Sequence, residues 1–88
     1  MVTKHKPDQD DSVVLAALGE AIRQHRAQAG LTQAELAELS NVGRPHLGLI
    51  EVGKKNPSVL MLARIARGLG VAPSELLKPE TLSEAAAP

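Results

Sequence analysis

The fold of this chain is decided by the stretch Leu31-Thr-Gln-Ala-Glu-Leu-Ala-Glu-Leu-Ser-Asn-Val-Gly-Arg-Pro-His-Leu-Gly-Leu-Ile-Glu51. It predicts two short helices joined by one tight turn. Thr32 and Glu35 form the T-x-x-E pattern of a capping box, which marks the start of the first helix. Leu47 and Ile50 give the second helix a buried side at helical spacing. Two helices across a short turn form a helix-turn-helix, whose second helix can enter the major groove of DNA.

The flanking segments predict three further helices. The first covers about 13–29 and ends at Gly30, which favours the left-handed conformation. Ser58 caps a fourth helix that ends at Gly70 and is apolar almost all round, which is typical of a central helix. Pro73 suits the first turn of a fifth. We therefore predict an all-α fold, a compact bundle of five short helices, with the helix-turn-helix at helices two and three, 33–40 and 44–51.

Length and composition allow one small domain. The chain has 88 residues, 43% of them hydrophobic, and contains no Phe, Trp, Tyr or Cys. The core must therefore be aliphatic, and neither a disulfide nor a cysteine zinc site can form. The lack of aromatic rings argues against stacking of single-stranded nucleic acid. We predict a helix-turn-helix DNA-binding domain at 12–78 between a disordered arm, 1–11, and a flexible tail, 79–88.

The charge balance gives no general support to a nucleic-acid partner. Ten Lys and Arg residues match ten Asp and Glu residues, so any attraction to DNA must come from a local cluster. Lys54 and Lys55 form such a cluster directly after the second helix of the pair. No apolar run approaches the roughly 18 residues of a membrane span, and the first residues lack the apolar region of a signal peptide. We expect a cytoplasmic protein that has no membrane partner.

Patterns that carry catalysis or metal binding are missing from the sequence. There is no phosphate-cradling glycine loop, no H-E-x-x-H pattern, and no Ser, His and acid set in a recognisable context. His5, His25 and His46 are too scattered in the predicted bundle to form a metal cluster. We therefore predict that the chain is not an enzyme, that it needs no cofactor or metal, and that it takes no small-molecule ligand.

Several short motifs, found in register, resemble one known family. They are Ile22-Arg-Gln-His-Arg26, Gly30-Leu-Thr-Gln-Ala-Glu-Leu-Ala37, Ile50-Glu-Val-Gly53, Asn56-Pro-Ser58 and Ile65-Ala-Arg-Gly-Leu-Gly-Val71. The region from about Leu18 to Leu77 is similar to the lambda-repressor-like domain of the phage repressor and Cro proteins, the xenobiotic-response-element family. The resemblance implies a bundle of five short helices that binds operator DNA as a two-fold dimer.

The resemblance also implies roles for individual residues. Gln33 matches a glutamine that bonds a phosphate and braces the recognition helix. Arg26 and Glu51 match a partly buried salt bridge between helices one and three. The side of the recognition helix that faces the bases would hold Arg44, Pro45, His46, Gly48 and Leu49. The phosphate contacts would come from Thr32, Gln33, Lys54, Lys55 and Asn56.

The recognition helix offers few polar side chains for base reading. Arg44 is the best candidate, since its guanidinium can bond guanine O6 and N7 together, although a phosphate contact is about equally open. His46 can bond a base or a phosphate, or have no role. Gly48 either allows close approach of the backbone to DNA or weakens the helix. Leu49 can pack on thymine methyl groups, turn inward or meet a partner.

Together these observations predict a sequence-specific regulator of transcription, a repressor, that binds double-stranded DNA. It would bind a palindromic operator as a homodimer through the major groove, with half-sites roughly 34 Å apart. We place the dimer contacts at Leu76 and Leu77, one of which should be exposed in the monomer. Two alternatives stay open: an antitoxin-like module that also holds a second protein, and a protein-interaction module with weak or no DNA readout.

Overall fold

The computed structural model describes residues 7–78, and the side chains of residues 11–78. This part of the chain is all-helical and contains no strand. It holds four α-helices and one 3₁₀ turn, which are α1 (Pro7–Gln28), α2 (Gln33–Ser40), α3 (Arg44–Glu51), α4 (Val59–Leu69) and the turn Pro73–Glu75. The helix α1 packs against α3, and α2 packs against both α3 and α4. The predicted all-α helix-turn-helix fold is confirmed, but the predicted count of five helices is wrong.

Local sequence signals explain the bounds of the helix-turn-helix. The Thr32 hydroxyl accepts a hydrogen bond from the Glu35 backbone N–H at 3.0 Å, and the Glu35 carboxylate accepts one from the Thr32 N–H at 2.8 Å. This capping box begins α2. Asn41, with a φ of 55°, ends α2 in the left-handed conformation. Pro45 lies in the first turn of α3, where its missing N–H costs no intrahelical bond.

The core is aliphatic and lies where the helices meet. Its fully buried side chains come from α1, α2, α3 and α4, with the largest being Ile22, Leu36, Leu47, Ile50 and Ile65. At Gly19 the backbones of α1 and α3 come so close that a Cβ on this residue would lie only 2.4 Å from the Glu51 carbonyl oxygen. The absence of a side chain at this position therefore sets the distance between α1 and α3.

The first helix is longer than predicted. It begins at Pro7 rather than near residue 13, so α1 includes the last residues of the predicted arm, 1–11. Proline is tolerated in the first turn of a helix, where its ring presets a helical φ. Residues 1–6 of the arm and the predicted tail, 79–88, lie outside the described residues.

Two further differences concern the C-terminal part of the domain. The helix α4 is not buried along its whole length as predicted, because Val59 and Leu60 at its beginning are 86% and 61% exposed, whereas Ile65 and Ala66 further along belong to the core. In place of a fifth α-helix there is a single 3₁₀ turn, which Ala72 begins without a side-chain cap. Pro79 follows four residues after that turn and disfavours helical conformation at the residue before it. A full helix therefore has neither a good start nor enough length here.

Candidate nucleic-acid interface

The candidate interface is the solvent-facing side of α3. Leu47, Ile50 and Glu51 face inward and are buried. Arg44, Pro45 and Leu49 face solvent, Leu49 with 43% of its surface exposed. This short helix therefore divides into a side that holds it on the bundle and a side that is free to contact a partner.

A buried carboxylate fixes α3 to its neighbours. The side chain of Glu51 is 2% exposed and accepts hydrogen bonds from Arg26 Nε at 2.8 Å and Arg26 Nη2 at 3.1 Å. The third guanidinium nitrogen of Arg26, Nη1, donates to the Leu31 carbonyl oxygen at 2.9 Å. The structure thus brings Arg26 and Glu51 together, and the bidentate geometry ties the end of α3 to α1 and to the segment before α2.

Gln33 extends this network from the start of α2. Its Nε2 donates to Glu51 Oε1 at 2.9 Å, and its side chain is the nearest group to the open position at Gly48. This hydrogen bond joins α2 to α3 and so helps to hold α3 in position. One N–H of the Gln33 amide remains for a phosphate. A contact of Gln33 to DNA would therefore be made by a side chain already held in place by Glu51.

Three exposed cations lie at the two ends of α3. Arg44 begins the helix, while Lys54 and Lys55 follow its end, and all three are exposed. None of them forms an ion pair within the part of the chain that the structure describes. The Lys54 N–H donates to the Leu49 carbonyl oxygen at 2.9 Å, which holds the start of the loop that carries Lys54 and Lys55 close to α3. Asn56 is exposed on the same loop.

Charge elsewhere on the surface is partly neutralised. On α1, Arg23 and Glu20 form an exposed ion pair with hydrogen bonds between the guanidinium and the carboxylate. The hydrogen bond from Arg23 lowers the pKa of Glu20, and the same bond raises the pKa of Arg23. At α3, by contrast, the one carboxylate of the helix, Glu51, is buried, while Arg44, Lys54 and Lys55 at its two ends are exposed, so the surface around α3 is locally positive although the net charge of the chain is zero.

The structure limits how His46 could contact a partner. Its Nε2 atom is buried and has no hydrogen-bond partner. The residue as a whole is half-buried, so a contact of His46 with a base or a phosphate would have to come from the exposed part of its ring. Gly48 is half-buried, and a Cβ there would make only ordinary contact, 3.8 Å from Gln33 Oε1. The fold itself therefore does not require glycine at position 48.

The two leucines predicted at a dimer interface differ in burial. Leu76 is 2% exposed and belongs to the core, while Leu77 is half-buried against it. Leu76 is therefore corrected from an interface residue to a core residue, because the 3₁₀ turn directs it inward. Only Leu77 of this pair is left for a partner.

Sequence reasoning did not assign Val52 to the interface. It follows α3 as its C-terminal cap residue and is 64% exposed. Its spacing of three residues from Leu49 was the available signal, since residues three apart share a helix face. Val52 extends the apolar part of the solvent-facing side beyond the last turn of α3.

Two further features, a metal-binding cluster and a membrane-spanning helix, are absent from the described residues. Between residues 11 and 78 there is no group of three His, Cys, Asp or Glu side chains suited to a metal ion. No helix within residues 7–78 has the length and apolar character to cross a bilayer.

Comparison with known proteins agrees with the geometry. The family HTH_3, described as helix-turn-helix, matches residues 22–76. An HTH-type transcriptional regulator of Methanothermobacter thermautotrophicus is 49% identical over 49 residues, which cover 56% of this chain and 71% of that protein. The immunity repressor of Bacillus phage phi105 is 38% identical over 65 residues, and the match spans 74% of this chain and 45% of the repressor.

A solved structure shares the same arrangement of helices. The restriction-modification controller protein C.AhdI from Aeromonas hydrophila superimposes with a TM-score of 0.69 at 35% sequence identity. The superposition covers 70% of this chain and 94% of the controller protein. The likeness therefore extends over nearly all of a small, separate regulatory protein.

Proposed function

Because this chain belongs to the xenobiotic-response-element family of helix-turn-helix transcriptional regulators, we propose that it binds a specific site in double-stranded DNA and represses transcription there. Members of the family regulate transcription and are not enzymes. The helix α3 would enter the major groove, with Arg44 as the main base reader. Repression follows from occupation of a site that the polymerase needs.

One observation carries this proposal: the open side of α3 is bordered by unpaired cations on a rigid support. Arg44 lies at one end of α3 and Lys54 and Lys55 lie just past the other, without ion pairs in the described structure. Phosphates lie on both sides of the major groove, so such an arrangement fits a duplex. The bonds to Glu51 hold α3 in one orientation before DNA is bound, which reduces the ordering cost of binding.

The phosphate contacts would position the domain. We assign them to Thr32, Gln33, Lys54, Lys55 and Asn56, of which Thr32 and Gln33 lie at the start of α2. Backbone N–H groups at a helix N-terminus favour a phosphate oxygen. The Thr32 hydroxyl accepts its capping bond from Glu35 and can still donate its own hydrogen.

The active form would be a homodimer on a palindromic operator in the cytoplasm. A two-fold dimer places two α3 helices in adjacent major grooves, roughly 34 Å apart. The half-buried Leu77 is our candidate for the dimer surface, whereas Leu76 is occupied by the core. Analytical ultracentrifugation that finds only monomer at high micromolar concentration contradicts this part of the proposal.

The direct test is selection of bound duplexes from a random pool, followed by titration of a selected duplex at several salt concentrations. Binding that rests on phosphate contacts weakens with salt, with a slope of about −0.9 for each neutralised phosphate. We expect an enriched sequence and a clear salt slope. A flat response to salt refutes DNA binding and favours the protein-interaction module.

Three variants separate base reading from phosphate contact. Arg44→Ala should reduce the free energy of binding to the selected duplex by about 1 to 3 kcal/mol and relax the sequence preference at one or two base pairs. Lys54→Ala should weaken all sequences alike and reduce the salt slope by about one phosphate. Arg67→Ala is the control, since Arg67 is an exposed cation on α4 outside the candidate interface. Equal loss in all three variants contradicts the assignment to α3.

A further inference from the structure

The open side of α3 carries an apolar strip, formed by Pro45, Leu49 and Val52. These residues follow at intervals of four and three, so they lie within about 60° of one another around the helix. Leu49 and Val52 are 43% and 64% exposed, and Pro45 is also exposed. With a rise of about 1.5 Å per residue, the strip is about 10 Å long, which is the height of roughly three stacked base pairs.

The charges around the strip indicate what covers it. Arg44 precedes it and Lys54 follows it, both without an ion pair in the described part of the chain. The carboxylate of α3, Glu51, is buried and bonded to Arg26 and Gln33. An apolar centre between cations, with no exposed carboxylate on the same helix, is complementary to a duplex that places phosphates on either side of its base edges.

Among the groups on the major-groove edges of base pairs, the apolar one is the C5-methyl group of thymine. The other edges carry donors and acceptors, which lose water without gaining a partner when an aliphatic side chain covers them. Resting on the proposed function, we propose that Leu49, flanked by Pro45 and Val52, selects its operator by packing on thymine methyl groups. Gly48, beside Leu49, carries no side chain that would hold α3 away from the bases.

The test replaces thymine by deoxyuridine, which removes only the methyl group. In a duplex selected by the wild-type protein, each thymine of one half-site is replaced in turn, and Kd is measured by fluorescence anisotropy at one salt concentration. We expect one or two positions at which the loss of the methyl raises Kd about fourfold, the effect of one buried carbon group. All other positions should leave Kd unchanged.

Variants then assign the effect to the strip. In Leu49→Ala the sensitivity to deoxyuridine should disappear at one of those positions, because the alanine side chain is too short to reach the methyl group. Val52→Ala should reduce the sensitivity to deoxyuridine at a neighbouring base pair. Leu39→Ala is the matched control, since Leu39 on α2 is an exposed leucine outside the strip. It should keep the full fourfold response, and circular dichroism should show that all three variants are folded.

The results distinguish this inference from the proposed function. If the wild type binds its selected duplex with a salt slope but no deoxyuridine substitution changes Kd, methyl reading is wrong and DNA binding stands. The same holds if Leu49→Ala and Val52→Ala keep the full response. If no duplex is enriched and binding is insensitive to salt, the proposed function fails and the inference with it. The absence of an enriched duplex and of a salt response is also the result expected if a second protein chain, rather than DNA, covers the strip.

Discussion

The two sides of α3 differ in how completely the rest of the chain holds them. On the inward side, Glu51 makes hydrogen bonds to α1 and α2, and Gly19 allows the α1 backbone to lie against the last carbonyl groups of α3. On the outward side, the Arg44 side chain has no ion-pair partner in the described structure, and the apolar side chain of Leu49 is 43% exposed. The same eight-residue helix is thus fixed on one side and unoccupied on the other.

This difference separates stability from recognition. Inward substitutions should change the free energy of unfolding and affect DNA only through the position of α3. Outward substitutions should change DNA affinity and leave unfolding almost unchanged, because surface residues away from packed features contribute little to stability. Measuring both quantities for each variant therefore tests the division, and a variant that moves both equally would contradict it.

The largest effect on stability is expected for Arg26→Met. This change leaves the Glu51 carboxylate buried with only the Gln33 amide as its partner. Removing one partner of a buried ion pair costs about 3 to 5 kcal/mol, because the remaining charge is not compensated. Unfolding in urea, followed by circular dichroism, measures the loss.

The control for Arg26→Met is Arg23→Met on the same helix. Arg23 also pairs with a glutamate, but both groups of that pair are about half exposed. Exposed ion pairs contribute little because water screens them. A urea midpoint that falls as far for Arg23→Met as for Arg26→Met contradicts the role given to the buried network.

A smaller loss of stability is expected for Gly19→Ala. The new Cβ would lie 2.4 Å from the Glu51 carbonyl oxygen and 2.5 Å from that of Ile50, so α1 and α3 must move apart. Overpacking of this kind costs about 1 to 3 kcal/mol, which outweighs the gain in helix propensity from alanine. Thermal unfolding measures it, and a melting temperature at or above that of the wild type contradicts the close approach.

The sequence predicted the helix-turn-helix well because local signals define it. The bounds of α2 and α3 agree with the prediction, since Thr32, Glu35 and Asn41 act within one turn of the chain. The family pattern also placed Arg26 and Glu51 opposite each other, although they are 25 residues apart. Helix-capping signals and the family's Arg–Glu ion pair were therefore sufficient to predict this part of the fold.

The remaining features depend on contacts that no local pattern contains. Leu76 and Leu77 are identical side chains, and only the geometry of the 3₁₀ turn decides that the first enters the core. The close contact at Gly19 likewise depends on how α1 packs against α3. The side chains on the open side of α3 make few contacts with the rest of the chain. Arg44 could therefore be proposed as a base reader from the sequence, but the structure of the free protein does not test that role.

The smallest expected change, Gly48→Ala, tests the boundary between the two sides of α3. The new Cβ finds ordinary contact distances within the protein, 3.8 Å from Gln33 Oε1, so alanine should stabilise the helix by about 0.5 to 1 kcal/mol. That raises the melting temperature by several degrees, since about 4 to 8 °C corresponds to 1 kcal/mol in a domain of this size. If the backbone at position 48 lies against the bases, the same variant must bind its selected duplex more weakly. A higher melting temperature together with unchanged affinity would show that Gly48 only weakens α3 and that the close approach to DNA is wrong.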